Sequence, residues 1–495
     1  MSESAVERYL RLGLQVGRHV DGMVDAYFGP PELAAAVDAE PPVDPRELVS
    51  AAERLLGELD DGWLRDQVVG LRTYAGVLAG ESRSYADEVE GCYSVRPTHT
   101  DEAVFTAAHE RLEELLPGDG PLAERYARWQ DSTRIPPERI ERTLAAVIEE
   151  ARAQTRDLVE LPDGEGIDLE FARDKPWWAS CNYLGGLRSR VALNVDLPIS
   201  AMELLVLALH ETYPGHHVER STKDVSLVRG RGLLEETLVL VPTPQSLITE
   251  GIAKLAPEVL LDGGGGPALA AIVQHAGIEL DLAHARAVEQ ALEPCDWAQV
   301  NAALLLHDGG ASEAEAHAYL ERWALLTPQW ADHMIRFFNE PTSRSYVITY
   351  AAGRELCRSY VAREPDGFRR LLREQVRIRD LQTVTLFRPT GQAEHDLVEA
   401  SGWRAFPPRL PEQPIFYPVL TEEYATKIAR DWNAREGNVG YVLRFEVPAE
   451  ALERWPPQQG AAGATFRELW VPAEELDQFN ALIHVPIEVI AEYRS

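Results

Sequence analysis

Apolar residues recur every three or four positions through most of the first 155 residues, as in "AVERYLRLGLQVGRHVDGMVDAYF" (residues 5–28) and "DPRELVSAAERLLGEL" (44–59). This spacing predicts packed helices with solvated outer faces, and Asp44-Pro45 supplies a cap and a first-turn proline for the second. Between about 157 and 197 the pattern changes to alternation around Pro-Asp-Gly and Gly-Gly, in "DLVELPDGEGIDLEF" and "GGLRSRVALNVDLP", which predicts a small sheet. The nearly all-apolar run "ISAMELLVLALHETY" (199–213) then predicts a buried helix, with Ser200 as N-cap and Glu203 as its capping-box partner. A further helix is expected over "PTPQSLITEGIAKLAPEVLL", ended by a flexible turn at "DGGGGP" (262–267), and helical patterns continue to about 378. From "TVTLFRPTG" (383–391) onward, strand patterns such as "YVLRFEVP" and "FRELWVP" alternate with proline-rich joins. The predicted fold class is mainly α with a small β-sheet, plus a small C-terminal α+β domain. The expected division is an N-terminal helical region 1–155, a central region 156–379 and a C-terminal domain 380–495.

Length and composition narrow the classes of function. A chain of 495 residues has room for two or three domains and a large buried site. Against 48 Lys and Arg stand 80 Asp and Glu, a net charge of −32 that repels nucleic acid and anionic lipid, so neither is expected as a partner. No window is apolar enough to span a membrane, and Glu3, Glu7 and Arg8 occupy the stretch where a signal peptide needs an apolar core; a cytoplasmic location is expected. Cys92, Cys181, Cys295 and Cys357 are scattered, which argues against a disulfide framework or a thiolate metal site. His19 and His109 are lone histidines on helical patterns and read as packing residues.

The chemistry concentrates in "LVLALHETYPGHHVER" (205–220). A catalytic zinc takes three protein ligands and keeps one position open. In a His-Glu-x-x-His helix the two imidazoles lie one turn apart on one face, and the intervening Glu deprotonates the activated water. Here the residue four after His210 is Pro214, which lacks an N–H and clashes with the carbonyl of His210. The helix must break, and Gly215, tolerant of positive φ, lets the chain turn so that a following histidine recovers the lost ligand. His216 is assigned as second ligand; His217, nearly two turns from His210 on an unbroken helix, is its rival, with a supporting or substrate contact as its other role. Glu211 is the expected base. A third ligand should come from another helix, and Glu250 in "LITEGIAKL" stands among apolar residues, with Gly251 beside it allowing close approach to the His210 helix.

"HETYPGHH" followed by "TEG" resembles the bacterial domain-of-unknown-function family 885, grouped with the gluzincin branch of zinc metallopeptidases. By motif order the resemblance covers roughly 150–378. It implies a largely helical metallopeptidase-like domain with His210, His216 and Glu250 as ligands of one Zn2+ per chain and Glu211 as base. Ile252 and Glu219 depart from the family pattern, an aromatic and a glutamine, at positions expected to touch substrate. The late "SRSYVITYAAGREL" resembles the family's Tyr-x-x-Gly element, with Tyr350 and Gly353 matching and Tyr346 one turn earlier. These tyrosines are candidates for stabilising an oxyanion; core packing is the other reading. Arg344 beside them is a candidate for binding a substrate carboxylate. "SCNYLGGLRSRVALNV" is a candidate edge strand for capturing an extended peptide.

The C-terminal segment is similar to small bacterial domains labelled as ADP-ribosylation-related; a transferase of that kind needs an Arg or His on the first strand and a late Glu, and Arg388 and Glu468 are candidates. A binding or packing module is the simpler expectation. Taken together, the residues point to a cytoplasmic zinc-dependent peptidase-like hydrolase acting on a peptide or small amide. Imidazole and carboxylate also suit other divalent first-row ions. The alternatives are a metal-binding scaffold without turnover and an activity residing in the C-terminal domain.

Overall fold

The computed structural model describes residues 3–173, 179–196, 198–364, 366–435, 438–460, 466–483 and 485–494. The chain is mainly helical with several small sheets, and it divides into two compact units: Met1–Arg358 with Phe368–Arg377, and Ser359–Gly367 with Ile378–Ser495. The helical N-terminal region is not separate from the central region; both lie in the first unit.

One reason is a strand where the periodicity predicts helix. Helix α1 (Ala5–Gly17) stops short, the chain turns at Gly22 with φ 80°, and β1 (Val24–Tyr27) pairs antiparallel with β5 (Leu238–Leu240). Val24 and Tyr27 suit a pleated surface, and the partner that decides their conformation lies more than 200 residues away, outside any local window.

Helix α2 (Pro137–Leu158) is followed by the sheet of β2 (Gly166–Ala172), β3 (Ala179–Gly185) and β4 (Arg188–Asn194). The central strand is β4, parallel to β2 and antiparallel to β3, so β3 is an edge. Helix α3 (Ala201–Glu211) starts on a reciprocal cap: Ser200 Oγ accepts from the Glu203 N–H at 3.3 Å and the Ser200 N–H donates to Glu203 at 2.8 Å. After the break come α4 (His216–Lys223) and α5 (Pro244–Pro257), the latter with Pro244 in its first turn and buried almost throughout. The glycines after it do not end the helix in an open turn. Glu258–Gly265 continues as a π-helical stretch, kinked at Gly264 with φ 101°, into the helix Gly266–His275. Helix α6 (Ile348–Arg363) contributes to the first unit through Arg358.

Helices α5 and α6 cross at two glycines. A Cβ on Gly251 would lie 2.3 Å from the Gly353 carbonyl oxygen, and one on Gly353 would lie 2.4 Å from that of Leu247. The helix that Gly251 admits is therefore α6 and not the His210 helix expected from the sequence.

The second unit carries an antiparallel sheet of β6 (Thr383–Gly391), β7 (Val439–Pro448) and β8 (Glu488–Arg494), with β7 central. Phe406, Phe416, Phe445, Trp455 and Phe479 fill its core. Among the described residues no helix is long and apolar enough to cross a membrane.

Candidate metal centre

The Tyr213–Pro214 peptide bond is cis, and helix α3 ends at Glu211. Gly215 has φ −78°, so positive φ is not why glycine stands here. The reason is space: a Cβ would lie 1.9 Å from the His210 carbonyl oxygen, and the Gly215 N–H donates to the Leu209 carbonyl at 3.1 Å. The chain folds back on the helix it has left and starts α4 with His216.

This turn brings the His216 ring beside that of His210, with centroids 4.7 Å apart and planes at 87°. Helix α5 supplies Glu250. His210 Nε2 is 3.5 Å from Glu250 Oε2, His216 Nε2 is 3.6 Å from Oε1, and one donor atom from each of the three residues falls within 4.8 Å of the others. Tyr346, in the turn leading into α6, donates to Glu250 Oε1 at 2.6 Å, while Oε2 is buried without a hydrogen-bond partner among the described residues. A buried carboxylate oxygen left unpaired is costly unless a cation faces it. Two imidazole nitrogens and one carboxylate oxygen are also the donor set of catalytic zinc, so these residues fit the ion.

Burial and the charges within the cluster set how its three residues titrate. Burial holds His210 neutral, with its pKa down at about 3, helped by the charge of His216. At His216 burial opposes protonation, but the hydrogen bond and charge of Glu250 prevail and raise the pKa to about 9. Burial also opposes ionisation of Glu250, which the hydrogen bond and charge of His216 outweigh, to about 2.

Glu211, last residue of α3, lines the same cavity and is 8% exposed. Burial raises its carboxyl to about 7; the charge of His216 works against this, and those of Glu250 and Asp25 add to it. A carboxylate poised near neutral pH suits a general base. Tyr350 also lines the cavity and makes no hydrogen bond to a described residue, whereas the Tyr346 hydroxyl is committed to Glu250. The two tyrosines thus differ: Tyr350 has a hydroxyl to offer, and Tyr346 holds Glu250 in place.

His217 is turned away. Its Nδ1 is 2.8 Å from Ser189 Oγ and its Nε2 is 3.0 Å from Glu165 Oε2, and the ring is fully buried. Glu165 also accepts from the Tyr213 hydroxyl and from Arg152 Nε at 2.8 Å, so one carboxylate grips both sides of the cis turn. Burial resists its ionisation, but the hydrogen bonds from His217, Tyr213 and Arg152 bring it to about 2. Glu219 is not a substrate contact. It is fully buried, takes Lys223 Nζ at 2.7 Å and accepts from Gln245 and Thr249 at 3.0 Å, tying α4 to α5. Ile252 is likewise a core residue. Arg344 does not line the cavity: Glu88 at 3.2 Å and His307 at 3.1 Å hold it. The guanidinium that does line it is that of Arg220, one turn after His216 on α4.

The cavity measures about 210 Å3 and is walled by Ala179–Tyr183 of the edge strand β3, by β5, and by residues of α3 to α6. Cys181 lies in this wall, its thiol pushed far up by burial. Asp25 of β1, which no sequence pattern singles out, also faces it. In the second unit Arg388 and Glu468 line one cavity of about 810 Å3. Phe387 bridges Val419 and Val419 bridges Glu468, which sets the two side chains on flanking strands. Arg388 pairs with both oxygens of Glu394, at 2.8 and 2.9 Å, and Glu468 accepts from Tyr424 at 2.8 Å and Trp470 Nε1 at 3.1 Å.

No family model matches the chain, and no curated protein matches it. Among solved structures it is similar to a "putative lipoprotein from Colwellia psychrerythraea", at 14% identity and a TM-score of 0.45, over 68% of this chain and 65% of that one. A "putative lipoprotein of unknown function from Shewanella oneidensis" is similar at 13% identity and a TM-score of 0.38, over 67% and 61%. The chain spans slightly less than two thirds of the length of each.

Proposed function

We propose that the first unit is a zinc-dependent peptidase-like hydrolase, a gluzincin relative of the family 885 type, with His210, His216 and Glu250 holding the metal. The observation that carries this reading is the convergence of the three donors on one small cavity that also holds Glu211, a carboxylate that is not itself in the cluster. A structural zinc site has four protein ligands and no adjacent base. A zinc ion at this donor set supplies Lewis acidity at a scissile carbonyl and acidifies the water beside it.

The rest of the reaction falls to the chain. Glu211 takes a proton from the attacking water and hands it to the leaving nitrogen, so that a peptide or small amide C–N bond is exchanged for a C–O bond with no net proton change. The Tyr350 hydroxyl donates to the oxygen that becomes negative as the carbonyl carbon turns tetrahedral. Backbone groups of β3 pair with an extended substrate. Tyr346 keeps Glu250 aimed, and the Glu165 network keeps the turn that presents His216. Four free cysteines, three of them buried, fit a reducing cytoplasm as the place of action. The test is peptide hydrolysis by zinc-loaded protein, abolished by chelation and restored by zinc; hydrolysis indifferent to metal contradicts the reading.

A second reading concerns the second unit, as a binding module. Leu397, Leu410, Trp432 and Trp470 are exposed large apolar residues, and all four line its cavity. If this unit holds the activity, truncating the full chain before residue 380 removes it; on the main reading hydrolysis survives.

A further inference from the structure

Among the described residues, one carboxylate lining the cavity, that of Asp25, has no part in the proposed hydrolysis. Asp25 sits on β1, is exposed, and lines the cavity together with His210, Glu211, His216 and Glu250. Among the described residues its one hydrogen bond comes from Asn182 Nδ2 at a long 3.4 Å, and no cationic side chain lies within 4.0 Å of it. Arg220, the guanidinium in the same wall, donates to Thr249 Oγ1 at 3.2 Å and faces Glu219 at 3.9 Å; it acts on Asp25 by its charge and makes no hydrogen bond to it. Asp25 thus keeps most of its acceptor capacity for something that enters from solvent. Burial within the cavity raises its carboxyl, the charges of Arg220 and His216 work against this and that of Glu250 adds to it, so what Asp25 binds lies close to the reacting atoms.

The other carboxylates of the cavity are committed, Glu250 to the metal cluster and Glu211 to proton transfer. A free carboxylate facing solvent beside them calls for a cation on the substrate, and the acidity of the chain, −32 overall, favours the same sign. The volume, about 210 Å3, is below the range of ligand pockets for drug-sized molecules and suits one residue and the bond that follows it. The cationic group every short peptide carries next to its first residue is its α-ammonium, with three N–H donors for two carboxylate oxygens.

We propose that Asp25 binds the α-ammonium of the substrate's first residue, which makes the enzyme an exopeptidase that removes amino-terminal residues or splits dipeptides. The inference rests on the hydrolase reading of the same cavity. Asp25 is a specificity residue, spending its hydrogen bonds on substrate in the ground state as well as the transition state.

The experiment compares leucyl-alanine with N-acetyl-leucyl-alanine and with an N-acetyl-lysyl peptide, in wild type and Asp25→Asn, with zinc content measured alongside. The expected result is kcat/KM at least about tenfold higher for the free amine in wild type, the range of a charge-assisted hydrogen bond. In Asp25→Asn that preference disappears through a raised KM for the free amine, with zinc content unchanged. Equal wild-type rates on free and acetylated peptides, or a preference that survives Asp25→Asn, overturns the inference and leaves the hydrolase reading standing. So does rapid, Asp25-dependent cleavage of the N-acetyl-lysyl peptide, which assigns Asp25 to a side-chain ammonium instead. If no peptide is cleaved, the hydrolase reading fails, and calorimetry decides the remainder: L-leucine binding that is absent for N-acetyl-leucine and lost in Asp25→Asn keeps the ammonium site, and its absence in wild type removes it.

Discussion

Gly251 and Gly353 meet face to face where α5 crosses α6, the amide nitrogen of Gly251 lying 3.0 Å from where a Cβ on Gly353 would be. The contact is backbone on backbone, so no side chain can move to relieve an intruding methyl. It also sets the distance between Glu250 on one helix and Tyr346 and Tyr350 around the start of the other.

Gly353→Ala therefore pushes the helices apart. Overpacking of this kind costs about 1–3 kcal/mol. The expected outcome is a lower melting temperature together with weaker zinc binding, because the Tyr346–Glu250 hydrogen bond lengthens; calorimetric melting and zinc titration read the two effects. Unchanged zinc affinity in a folded Gly353→Ala protein means the crossing does not position the ligand.

Glu211 and the three ligands should separate in their effects. Glu211→Gln is expected to retain zinc and to lose hydrolysis by about 10²- to 10⁴-fold, the range of general acid–base catalysis. Loss of zinc along with activity would make Glu211 a ligand and reassign the base.

The neighbouring histidines give the opposite contrast. His216→Ala removes a donor and should lose zinc. His217→Ala should keep measurable zinc binding while destabilising the fold by about 1–3 kcal/mol, since Glu165 and Ser189 are left with buried unpaired groups. Denaturant unfolding and metal titration of both variants check this, and equal zinc loss from both contradicts it.

Glu165 gives a pH dependence. Its folded-state pKa, about 2, lies below the ordinary carboxylate value of 4.5, so its network stabilises the protein above that value. The contribution fades as pH falls from about 4.5 towards 2. Glu165→Gln should therefore show lower stability at neutral pH and a flatter acid limb than wild type, measured by denaturant midpoints across that window; parallel curves would show that Glu165 is not the group that titrates.

What could be read in the sequence was local. Ser200 and Glu203 form their cap within four residues, and His210, Glu211, Pro214, Gly215 and His216 lie within seven, so spacing and the chemistry of proline carry the argument. Glu250 was legible because a glutamate among apolar residues is conspicuous. The rest depends on distant chain segments: Glu165 lies 52 residues from His217, and β1 meets β5 across the first unit. Asp25 therefore carries no local signal, the helix that Gly251 admits is not the one nearest in sequence, and Arg344 is held by Glu88 and His307 away from the cavity. The sequence points to Gly215 for its tolerance of positive φ, whereas its bare Cα serves to let two backbone segments touch.

The central claim is that His210, His216 and Glu250 hold one zinc while His217 does not. An anomalous-difference map at the zinc edge, from crystals grown with one equivalent of zinc, tests it most directly. The account predicts a single strong peak bonded to one nitrogen of His210, one of His216 and a carboxylate oxygen of Glu250, beside Glu211; no peak there, or one bonded to His217 and Glu165, contradicts it.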